Sequence, residues 1–275
     1  MYSGTTLRTS SGDLLGAHQR IDRIARRHLT RVLPKKAYFP EARQIVRFEG
    51  RDGPDGIKRK SPARDEPWHY IDPTDHTDTA LIQLIEDHMV NLERALRKRD
   101  EIRAAFEAAW LAHAIVDGLT PAHHFPLEAK LEELRGEGLE TRTTFKQKVV
   151  MPGSSRRHKV RNNWEFWGAK GVMTTHFMFE LGFATTLASL KVTKALPTKN
   201  ELIRVKKEGI GPIFLEAVHH IHALKMYETF HAKGWSRALA RQTRLELAPV
   251  IVRCVTLAWY AASLQAELRR KGGRP

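Results

Sequence analysis

The sequence predicts an all-α fold: one domain over residues 1–275, built as a multi-helix bundle with two long loops. Apolar residues recur at the 3.6-residue period of an α-helix along most of the chain, and no segment alternates as a strand would. Pro, Gly and Asp are concentrated over residues 33–77, which interrupts the helical pattern once. With 275 residues and 41% hydrophobic content, the chain can bury one large core.

The helices follow in chain order. Apolar stripes predict helices over about 14–32, from a cap at 75–78 onward, over about 101–118, 127–136 and 166–190, and after Pro212 and Gly234. The segment 33–77 is predicted to be a long ordered loop. The C-terminal helices, over residues 199–270, lie beyond the metal motifs, which run from His18 to Glu180.

A formal charge of +15 is the strongest compositional signal. It favours anionic partners, namely nucleic acid, an acidic membrane surface or a phosphate-bearing substrate, whereas no protein partner can be inferred. Between Thr141 and Trp164 there are seven Lys or Arg residues and no Asp or Glu. This segment is either a solvated basic loop or a wall of the active-site cleft, with Arg156, Arg157 and Lys159 as candidate substrate-binding residues.

The location of the protein is predicted from its cysteine content and its apolar segments. A single cysteine, Cys254, excludes an intramolecular disulfide and is typical of a reducing compartment. The N-terminus has no apolar core of a signal peptide, and the apolar stretch around Arg253 is typical of a packed helix. A cytoplasmic or membrane-peripheral protein is expected.

Three helical stripes carry polar residues where the period requires apolar ones. His113 and Asp117 are four residues apart and share one helix face, His176 and Glu180 repeat that spacing, and His18 lies on the inward stripe of the first helix. A single inward histidine is usually a hydrogen-bonded core residue. Two such pairs together indicate a metal site, because imidazole and carboxylate ligands satisfy one another around an ion.

These residues fall within motifs that resemble those of the zinc-dependent phospholipase C family. "HAIVDGLTPAHH" is similar to the family's His-x-x-x-Asp-x-x-x-Pro-x-His motif and supplies His123 as a further ligand. "GAHQRIDRIARRHL" resembles the first helix with its histidine, "PWHYIDPTD" the loop that gives His69, and "HFMFE" the last ligand pair. Asp55 lies fourteen residues before His69, as in the family. The single-strand-specific zinc nucleases share this fold and motif.

The resemblance implies a cluster of two or three zinc ions that activates water for attack on a phosphodiester. Its ligands would be His18, Asp55, His69, His113, Asp117, His123, His176 and Glu180. Asp55, His69, His113 and Asp117 would hold the first ion, and His123, His176 and Glu180 would hold the second. Asp117 would bridge the first ion to a third ion, shared with His18. Asp55 would also act as the catalytic base, with Asp65 as a rival for its place. The N-terminal tryptophan that completes the family's third site is missing here, and Gly56 and Glu66 stand where aromatic residues hold choline.

The function expected from this resemblance is a phospholipase C-like hydrolase acting on a phospholipid or another anionic phosphodiester. A zinc nuclease for single-stranded nucleic acid is the first alternative, favoured by the basic charge but not by Glu180, where the nucleases typically have Asp. A non-catalytic, metal-stabilised module that binds nucleic acid or membrane is the second. A dinuclear iron protein would need Glu216 and His219 to meet a second pair, Glu228 and His231, which one continuous helix would prevent.

Overall fold

The computed structural model describes residues 16–35, 37–50, 52–58 and 70–272, and in these ranges the protein is all-α, with no strand. The helices are α1 (Ala17–Val32), α2 (Ala42–Val46), α3 (Pro54–Lys58), α4 (Ala80–Lys98), α5 (Glu101–Gly118), α6 (Leu127–Arg135), α7 (Phe145–Val149), α8 (Arg156–Trp167), α9 (Val172–Ala188), α10 (Lys199–Glu208), α11 (Gly211–Ala223), α12 (Met226–Lys233), α13 (Arg237–Gln242) and α14 (Ala248–Gly272). A 3₁₀ turn, Pro121–His124, follows α5, and a π-helical turn, Thr243–Leu247, joins α13 to α14.

The long helix α14 lies at the centre of the main core and packs against α1, α4 and α5. Its Trp259 is fully buried and donates a hydrogen bond from Nε1 to the carbonyl of Ala108 on α5, at 3.0 Å. The helical stretch Arg237–Arg270 is long and apolar enough to cross a membrane, but 78% of its most apolar window is buried inside the protein. It is therefore the packed helix that the sequence predicted, as expected of a soluble or membrane-peripheral protein.

A tight connection between α4 and α5 places the helix that carries the site. Arg99 ends α4 in the left-handed region, at a φ of 56°, and the Asp100 side chain caps α5 by accepting a hydrogen bond from the backbone of Arg103. The two helices then pack along their length, and α5 is buried over almost all of its last three turns. Only its first turn faces solvent, where the side chain of Ile102 is 74% exposed.

The structure differs from the sequence prediction mainly in the two segments expected to be loops. Residues 33–77 contain the short helices α2 and α3, and the basic segment 141–164 contains α7 and most of α8. The helix expected over 166–190 begins only at Val172, because α8 ends at Trp167 and Gly168–Gly171 separate the two helices. The helix expected after Pro212 ends at Ala223, and Lys225, at a φ of 50°, separates α11 from α12.

A second, smaller core holds the basic segment in place. Leu127, Leu131 and Leu134 of α6 pack there with Met151 and with Phe166 of α8. Because α8 also packs against α9, this small core fixes the basic segment beside a helix that carries two of the expected ligands.

Candidate metal centre

Four elements bring six of the expected ligands together in the interior. His18 comes from the first turn of α1, and the last turns of α5 bring in His113 and Asp117. The 3₁₀ turn after α5 presents His123, and α9 presents His176 and Glu180. All six are buried, and they form two groups of three whose ligand atoms lie within 4.8 Å of one another.

The first group consists of His18, His113 and Asp117. The two imidazole rings are stacked, with centroids 3.8 Å apart and an interplanar angle of 7°. Both rings direct Nε2 towards the same carboxylate: His18 Nε2 lies 3.3 Å from Asp117 Oδ1, and His113 Nε2 lies 3.2 Å from Asp117 Oδ2. His113 and Asp117 therefore share one buried face of α5, as their i, i+4 spacing predicted.

The second group consists of His123, His176 and Glu180. His123 Nε2 and His176 Nε2 each lie 3.0 Å from Glu180 Oε1, so one carboxylate oxygen accepts from both imidazoles. The ring of Tyr70 stacks on His123, with centroids 4.8 Å apart, and holds that imidazole in its orientation. His123 reaches this position because the chain turns at Pro121 immediately after α5.

Asp117 connects the two groups. Its Oδ2 is 3.2 Å from His113 Nε2 and 3.9 Å from His123 Nδ1, so the same oxygen faces a histidine of each group. Asp55, at the start of α3, approaches the first group with Oδ1 3.8 Å from His113 Nε2. The side chain of Asp55 is 17% exposed, compared with 1% for Asp117.

Two further carboxylates lie at the first group and were not predicted. Glu49 is fully buried, and its Oε2 accepts a hydrogen bond from His113 Nδ1 at 2.8 Å and lies 3.9 Å from His18 Nδ1. Asp22 is fully buried, and neither of its carboxylate oxygens has a hydrogen-bond partner among the described residues. Asp22 is four residues after His18, the spacing that singled out the other two pairs, so the sequence did contain a signal for it. Glu49 comes from a non-periodic segment and carried none.

The ionisation of these groups follows from burial and from their mutual contacts. Burial favours a neutral His113, but Asp117 and Glu49 outweigh it and raise its pKa to about 10. Burial lowers the pKa of His123 to about 4, against the attraction of Asp117. Burial would raise the pKa of Glu180, yet the charge of His176 and the hydrogen bonds from both imidazoles hold it well below its usual value. Glu180 is therefore an anion in a histidine-rich pocket.

Each group offers the donor atoms that a divalent transition metal takes from proteins, two imidazole nitrogens and a carboxylate oxygen. His176 Nδ1 is buried without a hydrogen-bond partner in the described part of the chain, so this donor set is not fully satisfied by the protein alone. Two buried groups could thus hold metal ions. The donor set does not identify the metal.

The other expected site residues have different positions. His69 and Asp65 lie outside the described residues. Arg156, Arg157 and Lys159 are exposed at the start of α8. Glu216 and Glu228 lie on separate helices, but both are exposed and form ion pairs with Arg204 and Lys225. No metal-binding group containing them is found in the described ranges, which leaves the dinuclear iron alternative without support.

Comparisons of the chain with protein-family models, with curated proteins and with solved structures found no match. The fold and site define a helical protein with two adjacent, buried histidine–carboxylate groups that could hold metal ions.

Proposed function

We propose that this protein is a zinc-dependent phosphodiester hydrolase of the phospholipase C type. The observation that carries the proposal is the position of Asp117, one carboxylate between two buried groups of metal-ligand type. A shared carboxylate between neighbouring ions is suited to hydrolysis of a phosphodiester, in which attacking and leaving oxygens must be stabilised together. The order of the motifs along the chain, which resembles that of the zinc phospholipases C, supports the same class.

The ligands follow from the two groups. His18, His113 and Asp117 would hold zinc on one side, with Asp55 and, by the resemblance, His69 completing the set. His123, His176 and Glu180 would hold zinc on the other. When bound there, zinc lowers the pKa of coordinated water towards neutrality and neutralises charge on the phosphate oxygens.

Asp55 is the residue best placed to take a proton from the attacking water. It is the most exposed of the carboxylates around the two groups, while its Oδ1 is still within 3.8 Å of His113 Nε2. A general base needs this combination of contact with solvent and a fixed position beside the reacting centre. Asp117 and Glu180 are buried and already face three and two histidines, respectively, so they would act as ligands.

Tyr70 supplies a neutral wall to the second group. Burial, together with the carboxylates of Glu180, Asp117 and Asp55, raises its pKa well above that of free tyrosine, so the phenol stays protonated. It therefore adds no negative charge to a pocket that must accept an anion, and its stacking on His123 limits the movement of that ring.

The test combines metal quantification with product analysis. Purified protein is expected to contain two or three zinc ions per chain, and His176→Ala is expected to lose one of them. Glu107→Gln is the matched control, because Glu107 forms a buried histidine–carboxylate contact with His88 on α4, outside both groups.

Activity is then measured on phospholipid vesicles and on single-stranded DNA. Release of a phosphorylated head group, lost in Asp55→Asn with zinc retained, supports the proposal. Cleavage of DNA alone would make the protein a nuclease, for which the basic charge is the supporting observation. A zinc-loaded protein that cleaves neither would be the non-catalytic module, and a protein without bound zinc would refute the zinc assignment.

A further inference from the structure

A basic and aromatic surface lies on helix α8, beside the metal centre. Val160 and Trp164, one helical turn apart, are each 70% exposed, and Trp167 is 46% exposed. A contiguous exposed apolar patch, particularly one bordered by polar residues, is typical of an interaction surface. We call this set, with the surrounding lysines and arginines of residues 142–161, the α8 surface.

Hydrogen bonds connect side chains of α8 to α6, to the end of α7 and to the loop that follows α7. Asn163 donates to the carbonyl of Met151 at 2.8 Å and accepts from its amide at 3.0 Å, and Trp167 Nε1 donates to the carbonyl of Val149 at 2.7 Å. Asn162 is buried and donates to the carbonyls of Leu134 and Pro152. The apolar residues are therefore exposed on an ordered scaffold.

Between this loop and α8 lies an open groove of about 520 Å³. Its wall is formed mainly by Val150, Val160, Trp164 and Trp167. The indole N–H of Trp167 is used by its hydrogen bond to Val149, and most residues that line the groove are apolar, so the groove presents mainly hydrocarbon and ring surface.

The chain segment that forms the groove carries mainly positive charge. Residues 141–167 contain seven Lys or Arg residues and one carboxylate, Glu165, which lies 3.6 Å from the guanidinium of Arg161. Arg156 and Arg157 occupy the first turn of α8, where the helix dipole disfavours cations. A bound anionic partner would relieve this arrangement.

We propose that the α8 surface docks on an anionic lipid bilayer, with Val160 and Trp164 in the interfacial region and the cations on the head groups. Tryptophan and aliphatic side chains flanked by lysine and arginine are the combination that binds such interfaces. A single-stranded nucleic acid would use the cations and the indole rings, but it gives no reason to expose Val160 or to leave an apolar groove. Because α8 packs against α9, docking would also bring the bilayer next to the helix that carries His176 and Glu180. The inference does not depend on the proposed hydrolysis.

The experiment is flotation of the full-length protein with vesicles of phosphatidylcholine alone and with vesicles containing about a third phosphatidylglycerol. We expect binding to the anionic vesicles, weakened by salt, and little binding to the neutral ones. Arg156→Glu combined with Arg157→Glu should weaken the partition coefficient by at least about 30-fold, because roughly fivefold is lost with each basic residue and the new carboxylates also repel the anionic surface. Trp164→Ala should weaken it about tenfold.

Matched controls carry the same chemical changes elsewhere. Lys206→Glu with Lys207→Glu reverses two exposed cations on α10, and Ile102→Ala removes an exposed apolar side chain from α5. Both should bind vesicles within twofold of the wild type.

Equal loss in the controls, equal binding to neutral vesicles, or binding to single-stranded DNA without binding to vesicles would overturn the proposal. Head-group release is measured in parallel. Vesicle binding without hydrolysis would support the docking surface and refute the proposed hydrolysis. Hydrolysis without vesicle binding would refute the docking surface and support the proposed hydrolysis.

Discussion

The contact between Glu49 and the stacked histidines leads to a prediction about metal affinity. The Glu49 carboxylate accepts from His113 Nδ1 at 2.8 Å and lies 3.9 Å from His18 Nδ1, while Nε2 of both rings faces Asp117. A carboxylate that holds Nδ1–H fixes the tautomer in which Nε2 carries the lone pair for a metal. Glu49 is thus expected to orient the ligands of the first group without itself binding the ion.

Two variants test this role. Glu49→Gln keeps the size of the side chain and a hydrogen-bond acceptor but removes the negative charge, and Glu49→Ala removes the acceptor as well. Loss of such an outer contact typically weakens metal binding 10–100-fold. We expect about tenfold for the Gln variant and about 100-fold for the Ala variant, measured by competition with a chromophoric zinc chelator. The stabilisation of the fold by saturating zinc should fall by about 1.4 kcal/mol for each factor of ten.

The control for this experiment is Glu107→Gln, which removes the same kind of buried contact, His88 Nδ1 to Glu107 Oε2 at 2.6 Å, at a distance from both groups. Both Gln variants should lower the unfolding free energy of the metal-free protein by a similar amount, about 1–3 kcal/mol. Only Glu49→Gln should change zinc affinity. If its affinity equals that of Glu107→Gln, Glu49 is a core residue only and the reasoning is refuted.

Three other predictions concern buried positions. Burial and Glu49 raise the pKa of Asp22, so the folded protein loses stability as pH rises above about 3.8, where Asp22 ionises in the unfolded chain first. Asp22→Asn should abolish that loss and raise the unfolding free energy at pH 7 by about 1–3 kcal/mol, measured by urea unfolding. A less stable variant would show that a cation holds Asp22 as an anion. Burial raises the pKa of the Cys254 thiol to about 12, so Ellman's reagent should not react at pH 8 until the protein is unfolded, and reaction of the native protein would contradict its placement in the core. Gly118→Ala should destabilise by about 1–3 kcal/mol, because a Cβ there would lie 2.6 Å from side-chain atoms of Leu81 and Phe214; calorimetry showing an unchanged midpoint would contradict that packing.

Helical periodicity predicted the parts of the structure that bury one face of a long helix. The first helix, α4 and α5 were found in the expected places because their apolar stripes are long. The polar residues on the stripes of α1, α5 and α9 are among those that meet in the centre. The short helices α2, α3 and α7 were missed, since a helix of five residues shows at most one turn of pattern. Helix α8 was missed for a different reason: its exposed face is apolar and basic, so its amphipathic pattern is weak.

The candidate site shows how far an argument from single helices can reach. A buried carboxylate or imidazole needs hydrogen-bonding or charged partners. When its own helix supplies only one such partner, the others must be buried polar residues of other helices. This reasoning brings His18, His113 and Asp117 together without knowledge of the fold, and applied to His18 and Asp22 it would have added a further carboxylate. It could not reach Glu49, whose burial depends on how the turn after α2 packs against α5.

The end of α5 explains why Asp117 is held between two groups. The following residue, Gly118, allows Leu81 of α4 and Phe214 of α11 to pack directly against the helix backbone. The chain then turns at Pro121, where the backbone amide of Thr120 donates to the carbonyl of Asp117, and His123 is presented two residues later. Residues 113–123 thus supply ligands to both groups, and Gly118, in the middle of this segment, lies in close contact with Leu81 and Phe214. A change at Gly118 should therefore alter the spacing of the two groups as well as stability, whereas an equally destabilising change in the core far from α5 should lower stability alone.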